Sequence, residues 1–317
     1  MISLNRLAPD DTRPSSDKTL AASITRAASA QTYYTIRFLV DRDLVVDAYQ
    51  AYAYFRWVDD WLDQGARERS ERFAFVDRQR TLIDRCYRGE WPRHLLASEE
   101  TMLVDLIRRD RGEASGLQSY IRNMMAVMAF DAERRGRIVS RDELVSYSRW
   151  LAIAVTEAIH YFIGYHSPSP RSETRYLAVT AAHITHMLRD TLEDVEAGYF
   201  NIPCEFLETH RIDPWDVRSE AYRTWVQRRV QLARAYFDAG KDYLAQAVNT
   251  RYRLACFAYT ARFEGVLNTI EQDGYWLRSV YLERKSIGSG MRIAWSVLSL
   301  AFNPRRQDKL PRVLRVR

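Results

Sequence analysis

Residues 51–63 read AYAYFRWVDDWLD, and this stretch decides the fold. Apolar residues recur three and four positions apart, which predicts an amphipathic helix. Asp59 and Asp63 are four residues apart, so their side chains lie one helical turn apart on the same face. Arg56 precedes Asp59 by three residues and extends the same stripe. The helix therefore presents two carboxylates and a guanidinium together.

A second stretch repeats this pattern. Residues 181–203 read AAHITHMLRDTLEDVEAGYFNIP, in which Asp190 and Asp194 are again four residues apart. His183 and His186 extend the stripe toward the start of the helix. Two carboxylates on each of two apolar helices are too costly to leave without a partner, so we expect them to bind cations.

The chemistry that suits these aspartates is the binding of Mg²⁺. Neighbouring carboxylates at this spacing repel each other on an open helix. Magnesium prefers hard oxygen ligands and uses one or two carboxylates together with substrate phosphates. Two such helices facing each other would hold a diphosphate through bridging ions. Arg56 and Arg189, one beside each pair, would neutralise the phosphate oxygens.

The rest of the chain favours an all-α fold. The 317 residues include only 12 glycines and 9 prolines. The few helix breakers fall between helical segments of roughly 15 to 30 residues. We predict a disordered leader over residues 1–18, one all-α domain over residues 19–303 and a basic tail over residues 304–317.

Composition also bears on location and partners. The net charge is +6, and three cysteines without CxxC spacing indicate a reducing compartment, so we expect a cytoplasmic protein. The apolar segment 293–302, IAWSVLSLAF, is too short to span a bilayer. It is a core helix or, with the basic tail, a weak contact to a membrane surface. Basic residues are interleaved with acidic ones, which argues against nucleic acid.

The two aspartate-rich stretches resemble those of the squalene/phytoene synthase family of head-to-head prenyltransferases. Residues 29–63 resemble the amino-terminal block of that family, and residues 187–207 resemble its second block. Residues 259–286, YTARFEGVLNTIEQDGYWLRSVYLERKS, resemble its carboxy-terminal helices. The resemblance extends over roughly residues 20–290. It implies an isoprenoid-synthase-type helical bundle around a central cavity.

The resemblance also implies a set of site residues. Two or three Mg²⁺ ions would be held by Asp59, Asp63, His186, Asp190 and Asp194. The diphosphate would contact Thr32, Tyr33, Tyr52, Arg56, His186, Arg189 and Tyr275. The aspartates, Arg56 and Arg189 are the expected catalytic residues. Ionisation of a prenyl diphosphate leaves an allylic cation, which needs a dry pocket with aromatic walls. The candidates for that lining are Tyr33, Phe55, Phe130, Tyr161 and Phe162.

The chain departs from the family pattern at three places. His183 and His186 stand where the family usually has Gln and Asn, and imidazole suits transition metals better than Mg²⁺. Gln31 stands where the family commonly has a Lys that helps hold a second diphosphate. Residues 151–156, LAIAVT, replace a Gly-containing run, so we expect a narrower tunnel for the prenyl tail.

Two enzymatic interpretations therefore stay open. The first is head-to-head condensation of two identical prenyl diphosphates. The second is transfer of one short prenyl group to a non-isoprenoid acceptor such as an aromatic ring, which needs only one diphosphate site. A different class, a ferritin-like di-metal oxidase, has some support from Glu157 and His160, which form an Glu-x-x-His motif. That fold needs a second such motif and two further Glu, which the sequence does not offer in the right pattern.

Overall fold

A computed structural model describes residues 13–64, 67–93, 95–110, 112–164 and 172–281. Within these ranges the protein has eleven α-helices and no strand, which confirms the all-α prediction. The predicted tail 304–317, the apolar segment 293–302 and the first twelve residues of the predicted leader lie outside the described residues. No helix in the described ranges has the length and apolar character needed to cross a bilayer.

The helices follow one another along the chain with short connections. They are α1 (Arg13–Ala28), α2 (Ala30–Leu39), α3 (Val45–Asp63), α4 (Arg69–Tyr87), α5 (Ser98–Arg109), α6 (Gly116–Arg134), α7 (Arg141–Gly164), α8 (Leu177–Glu196), α9 (Cys204–His210), α10 (Glu220–Ala245) and α11 (Thr250–Gln272). Short 3₁₀ turns precede α3 and α8.

Several helices begin at a polar side chain that accepts a hydrogen bond from the first turn. Such a residue satisfies a backbone N–H that has no partner within the helix, and it stabilises the helix by about 1 kcal/mol. The capping residues are Ser29 for α2, Ser115 for α6, Ser219 for α10 and Asn249 for α11.

The chain folds as two compact units. The first comprises Met1–Arg67 and Asp77–Gly112, and the second comprises Glu68–Val76 and Glu113–Arg317. The boundary runs through α4, whose first turns belong to the second unit. The predicted single domain over residues 19–303 stays a prediction.

In the first unit, α3 packs against α1 and α5 and carries the first aspartate pair. The phenol of Tyr54, which is fully buried, donates a 3.0 Å hydrogen bond to Oε1 of Gln79. Gln79 in turn donates a 2.8 Å hydrogen bond to the fully buried carboxylate of Glu100 on α5. Glu100 also accepts from Arg78 at 2.5 Å. These bonds hold α3, α4 and α5 in one arrangement.

In the second unit, α8 carries the second aspartate pair and packs against α7, α10 and α11. The approach to α10 is closest at Gly240, where an added Cβ would lie 2.6 Å from the backbone nitrogen of Ala178. Only a residue without a side chain allows this distance. The contact sets how closely α8 and α10 approach each other.

Candidate active site

The first aspartate pair is accompanied by the arginine that the spacing predicted. Arg56 on α3 donates a hydrogen bond of 3.0 Å from Nη1 to Oδ2 of Asp59, and its Nη2 also binds Asp60. Asp59 is 40% exposed, and Asp63 is exposed at the last position of α3. The guanidinium thus supplies the positive charge that offsets the crowded carboxylates.

The residues of α2 that were predicted to contact diphosphate pack against α3. Tyr52 lies beside Thr32, whose hydroxyl donates a 2.9 Å hydrogen bond to Oγ of Ser29. Burial raises the pKa of the Tyr52 phenol, and the negative charge of Asp59 adds to the rise, although Arg56 opposes it. Tyr33 stacks on Tyr49 with ring centroids 5.4 Å apart. Within the first unit, the structure therefore brings Thr32, Tyr52 and Arg56 together beside Asp59.

On α8, the carboxylate of Asp190 is bound by two side chains, Arg189 and His186. Arg189 forms a fork with hydrogen bonds of 2.5 Å and 2.6 Å to the two oxygens of Asp190. His186, one turn earlier, lies 2.9 Å from Oδ2 of the same carboxylate. Burial raises the pKa of Asp190, but the bonds from Arg189 and His186 outweigh it and hold that pKa well below its ordinary value. Asp190 is therefore ionised at neutral pH.

Asp194 lies one turn further along and has a different environment. Its Oδ2 accepts a 2.7 Å hydrogen bond from the amide of Asn201, a neutral partner. The pKa of Asp194 is raised to about 7, and burial is the main cause. The negative charge of Asp190 adds to the rise, whereas the charge of Arg134 and the hydrogen bond from Asn201 oppose it. Two neighbouring carboxylates are thus pushed in opposite directions. The positive charge near Asp194 does not compensate fully for its burial.

The two histidines of α8 have different surroundings. His186 is half exposed, with its imidazole on Asp190. His183 is buried, and within the described residues neither of its ring nitrogens has a hydrogen-bond partner. Burial lowers the pKa of His183 well below its ordinary value, and the positive charges of His186 and Arg134 contribute. His183 is therefore a neutral imidazole in the folded protein.

The donor set fits a magnesium ion that shares its ligands with a substrate. Within the described ranges, no group of three or more His, Cys, Asp or Glu side chains is arranged to hold a metal ion. Each aspartate pair offers two carboxylates, which is the number that Mg²⁺ uses when phosphates and waters complete its shell. The incomplete compensation of Asp194 would be relieved by a cation. Magnesium is compatible with these residues on chemical grounds.

The remaining predicted residues lie at other places. Tyr275 follows α11 with a left-handed backbone, φ 70°, and its N–H donates a 2.8 Å hydrogen bond to the carbonyl of Ile270. Among the proposed aromatic lining, Tyr33 is half-buried on α2, and the others are buried on α3, α6 and α7: Phe55, Phe130, Tyr161 and Phe162. Their membership of a substrate pocket stays a prediction.

The segment 151–156 lies on α7 beside a small cavity. Thr156 lines it together with residues of α8, α10 and α11, including Val179, Leu244 and Thr260. The cavity has room for about one water molecule. The narrower tunnel expected from the bulkier side chains stays a prediction.

The Glu-x-x-His motif of α7 takes part in an ion pair. Glu157 accepts from Arg175 at 3.0 Å and from the phenol of Tyr176 at 2.9 Å. The imidazole of His160 lies edge-on to Tyr252, with centroids 5.7 Å apart. Glu157 already has a cationic partner, which argues against the di-metal oxidase.

The sequence analysis missed the residues that support Asp194. Asn201 lies seven residues later, beyond the end of α8, so helical spacing gave no signal for it. Arg134 lies at the end of α6 and is buried, with 6% of its surface exposed. The available sign in the sequence was the spacing of Asp131 and Arg134, three residues apart near the end of α6, which favours a polar contact between them.

A known protein family matches most of this chain. The family model described as squalene/phytoene synthase matches residues 25–287. A 15-cis-phytoene synthase of Synechocystis sp. is 30% identical over 110 residues, which is 33% of this chain and 32% of the relative. The match therefore spans about a third of that relative's length.

Solved structures show the same fold. A squalene synthase from Alicyclobacillus acidocaldarius superposes with a TM-score of 0.64 at 20% identity, covering 83% of this chain and 96% of that one. A dehydrosqualene synthase in complex with a ligand gives a TM-score of 0.68 at 14% identity, covering 90% of this chain and 97% of the other. At these identities the likeness establishes the helical architecture alone.

Proposed function

Because the chain belongs to the squalene/phytoene synthase family, we propose that it is a Mg²⁺-dependent prenyltransferase that condenses two prenyl diphosphates head to head. The observation that carries the proposal is the contrast between Asp190 and Asp194 on α8. Asp190 is ionised and bound by the guanidinium of Arg189. Asp194 is partly buried, and the positive charge near it does not fully offset the cost of burying its carboxylate. Such a helix face suits cations that arrive with an anionic substrate.

In this proposal the acidic helices hold the ions. The ligands are the carboxylates of both motifs and one imidazole: Asp59, Asp63, Asp190, Asp194 and His186. Bound Mg²⁺ supplies positive charge that stabilises the diphosphate as it leaves. Arg56 and Arg189, which pair with aspartates in the absence of substrate, move their guanidinium donors onto phosphate oxygens.

The remaining polar residues orient the diphosphate. Hydroxyl groups donate hydrogen bonds to phosphate oxygens without adding charge. We assign this role to Thr32, Tyr33, Tyr52 and Tyr275. The bond from Thr32 to Ser29 supports the assignment for Thr32, because it orders that hydroxyl beside Tyr52 before a substrate binds.

Aromatic side chains would protect the allylic cation. Their ring faces attract positive charge and exclude water, which would otherwise quench the cation. We place Tyr33, Phe55, Phe130, Tyr161 and Phe162 in this lining. The buried state of the last four supports a water-free environment.

A second candidate is transfer of one short prenyl group to an aromatic acceptor. Two observations favour it. Gln31, exposed on α2, offers no positive charge for a second diphosphate. Residues 151–156 carry bulkier side chains than the Gly-containing run of the family, which would narrow the tunnel for a long tail. Both observations concern the acceptor and the tail, so the ionisation chemistry is common to the two candidates.

Product analysis distinguishes these candidates. The protein is incubated with Mg²⁺ and single prenyl diphosphates of 5 to 20 carbons, and products are identified by mass spectrometry. Head-to-head condensation yields a product of 30 or 40 carbons from one substrate alone. Parallel reactions with and without NADPH are needed, because a squalene-like hydrocarbon requires a hydride donor, whereas the cyclopropyl diphosphate and a phytoene-like hydrocarbon do not. Release of pyrophosphate only when an aromatic acceptor is added would support the second candidate. Asp190→Asn serves as the control that lacks the proposed ion site.

The Gln31→Lys variant tests separately whether the protein has a binding site for a second diphosphate. If the second candidate holds, the added ammonium creates a second diphosphate site, and a head-to-head product appears or increases. If condensation already occurs with Gln31, the variant changes the KM for substrate more than it changes the product. Gln118→Lys, on α6 after Ser115, is a control for adding a lysine at a half-buried glutamine.

A further inference from the structure

The turn that follows α8 is docked against the end of α6. The N–H of Tyr199 donates a 2.7 Å hydrogen bond back to the carbonyl of Asp194, and Gly198 has a left-handed backbone with φ 86°. The N–H of Gly136 donates a 2.8 Å bond to the carbonyl of Gly198. These bonds bring Asn201 back beside Asp194.

Asn201 connects Asp194 to Arg134 through both ends of its amide. Its Nδ2 donates a 2.7 Å hydrogen bond to Oδ2 of Asp194, and its Oδ1 accepts a 2.9 Å bond from Nη1 of Arg134. Because Arg134 can only donate, the amide has one orientation, with its NH₂ group toward the carboxylate. The side chain of Asn201 is buried, so this arrangement is shielded from solvent.

Arg134 is itself held in place. Its Nε donates a 2.7 Å hydrogen bond to Asp131, whose other oxygen accepts a 3.1 Å bond from the phenol of Tyr147. The guanidinium carbon lies 4.7 Å from the ring centroid of Tyr147 and 4.9 Å from that of Tyr199. Asp131 is thus an ion-pair partner of Arg134. Arg134 is therefore a fixed anchor for Asn201.

We propose that Asn201, anchored by Arg134, is a positioning residue that orients the carboxylate of Asp194 for an incoming cation. This inference rests on the proposed function, in which Asp194 is a metal ligand. The amide occupies Oδ2, and within the described residues Oδ1 of Asp194 has no hydrogen-bond partner. Oδ2 of Asp194 is thus fixed by Asn201, and Oδ1 is left to bind a cation.

The choice of an amide has a physical reason. A guanidinium bound directly to Asp194, as Arg189 is bound to Asp190, would compete with the ion for the carboxylate. An amide fixes the orientation of the carboxylate without bringing a full positive charge to it. Partners of this kind affect metal affinity by about 10- to 100-fold in other metal sites.

The test compares Mn²⁺ binding in four variants of the full chain, one of which, Asp194→Asn, removes the proposed ligand itself. Mn²⁺ is titrated with protein, and the free ion is followed by its EPR signal. Asn201→Leu keeps the side-chain volume and removes both hydrogen bonds, and Asn201→Ala checks that the effect does not depend on the replacement. Asn268→Ala, at an exposed asparagine of α11 that binds Arg234, is the matched control. Thermal unfolding shows whether each variant is folded.

We expect folded Asn201→Leu to bind Mn²⁺ about 10- to 100-fold more weakly, with no change in Asn268→Ala. The Mg²⁺ concentration for half-maximal turnover rises by a similar factor. If Asn201→Leu and Asn201→Ala bind Mn²⁺ as the natural protein does while Asp194→Asn does not, the positioning role is wrong and the proposed function stands. If Asp194→Asn also binds normally, the metal role of Asp194 fails, and this inference fails with it.

Discussion

His183 packs edge-on against Tyr147, with ring centroids 4.9 Å apart, and its imidazole stays neutral because burial lowers its pKa well below the ordinary value. The unfolded chain takes up a proton at this histidine near pH 6.5, and the folded protein does not. Because the pKa of His183 is lower in the folded protein than in the unfolded chain, protonation of this histidine favours unfolding. Its contribution to the free energy of unfolding is therefore fully present above about pH 6.5 and is lost as the pH falls below this value.

We predict that His183→Gln flattens this acid dependence. The free energy of unfolding of the natural protein should fall by up to about 1.4 kcal/mol per pH unit more steeply than that of the variant below pH 6.5. Urea unfolding at pH 7.5, 6.5 and 5.5 measures the difference. His210→Gln, at a half-buried histidine of α9, is the control. An identical slope for His183→Gln and the natural protein would contradict the prediction.

Asp59→Asn and Asp190→Asn should each abolish turnover and leave the fold intact. Loss of one carboxylate from an ion site lowers kcat by about 10²-fold or more, because the leaving group loses charge stabilisation. The ion pair of Asp59 with Arg56 is partly exposed, so its loss costs only about 0–1 kcal/mol of stability. Turnover is measured with radiolabelled prenyl diphosphate at ordinary Mg²⁺.

The control for these variants is Asp105→Asn. Asp105 pairs with Arg108 on α5 at 3.5 Å, three residues apart as Arg56 and Asp59 are. It should keep full turnover. Near-natural rates in either Asp59→Asn or Asp190→Asn would remove the basis for the ion site.

Gly240→Ala should destabilise the second unit. The new Cβ would lie 2.6 to 2.8 Å from atoms of Ala178, including its backbone nitrogen, so α8 and α10 would have to move apart. We expect a loss of about 1–3 kcal/mol in the free energy of unfolding. Gly265→Ala on α11 is the matched control, since nothing lies within 4 Å of its added Cβ. It should stabilise the protein by up to about 1 kcal/mol, and equal effects at both sites would contradict the packing argument.

Glu100→Ala should destabilise the first unit strongly. The carboxylate of Glu100 is fully buried, and it accepts from Arg78, from Gln79 and from the backbone N–H of Ala97. Its removal leaves the fully buried amide of Gln79 without this acceptor, while Arg78 is 59% exposed, so we expect a cost of about 1–3 kcal/mol. Glu99→Ala, one residue earlier and less buried, should change stability by no more than about 0.5 kcal/mol. Chemical denaturation followed by circular dichroism compares the two.

Much of the fold was predictable because it depends on local signals. The spacing of apolar residues and the few helix breakers predicted a series of separate helices, and glycines with a left-handed backbone, Gly89 and Gly136, follow the ends of α4 and α6. Helical geometry likewise predicted that Arg56 meets Asp59. These contacts connect residues within one or two turns, so the sequence alone specifies them.

The support of Asp194 could not be predicted in this way. Asn201 reaches it only because the chain turns back after Gly198, and Arg134 reaches Asn201 from a helix 67 residues earlier. Such contacts depend on how the turn docks on α6, which periodicity does not describe. Gly240 could not be predicted either. A side chain at this position would collide with Ala178 of α8, and nothing in the sequence of α10 itself indicates that contact.

The fork between Arg189 and Asp190 has a thermodynamic consequence. Without ligands, the guanidinium already satisfies the carboxylate, so a divalent ion must displace it before it can bind. A phosphate group offers the displaced arginine a new partner. Ion and pyrophosphate should therefore bind with positive cooperativity, so that each raises the affinity for the other by the same factor.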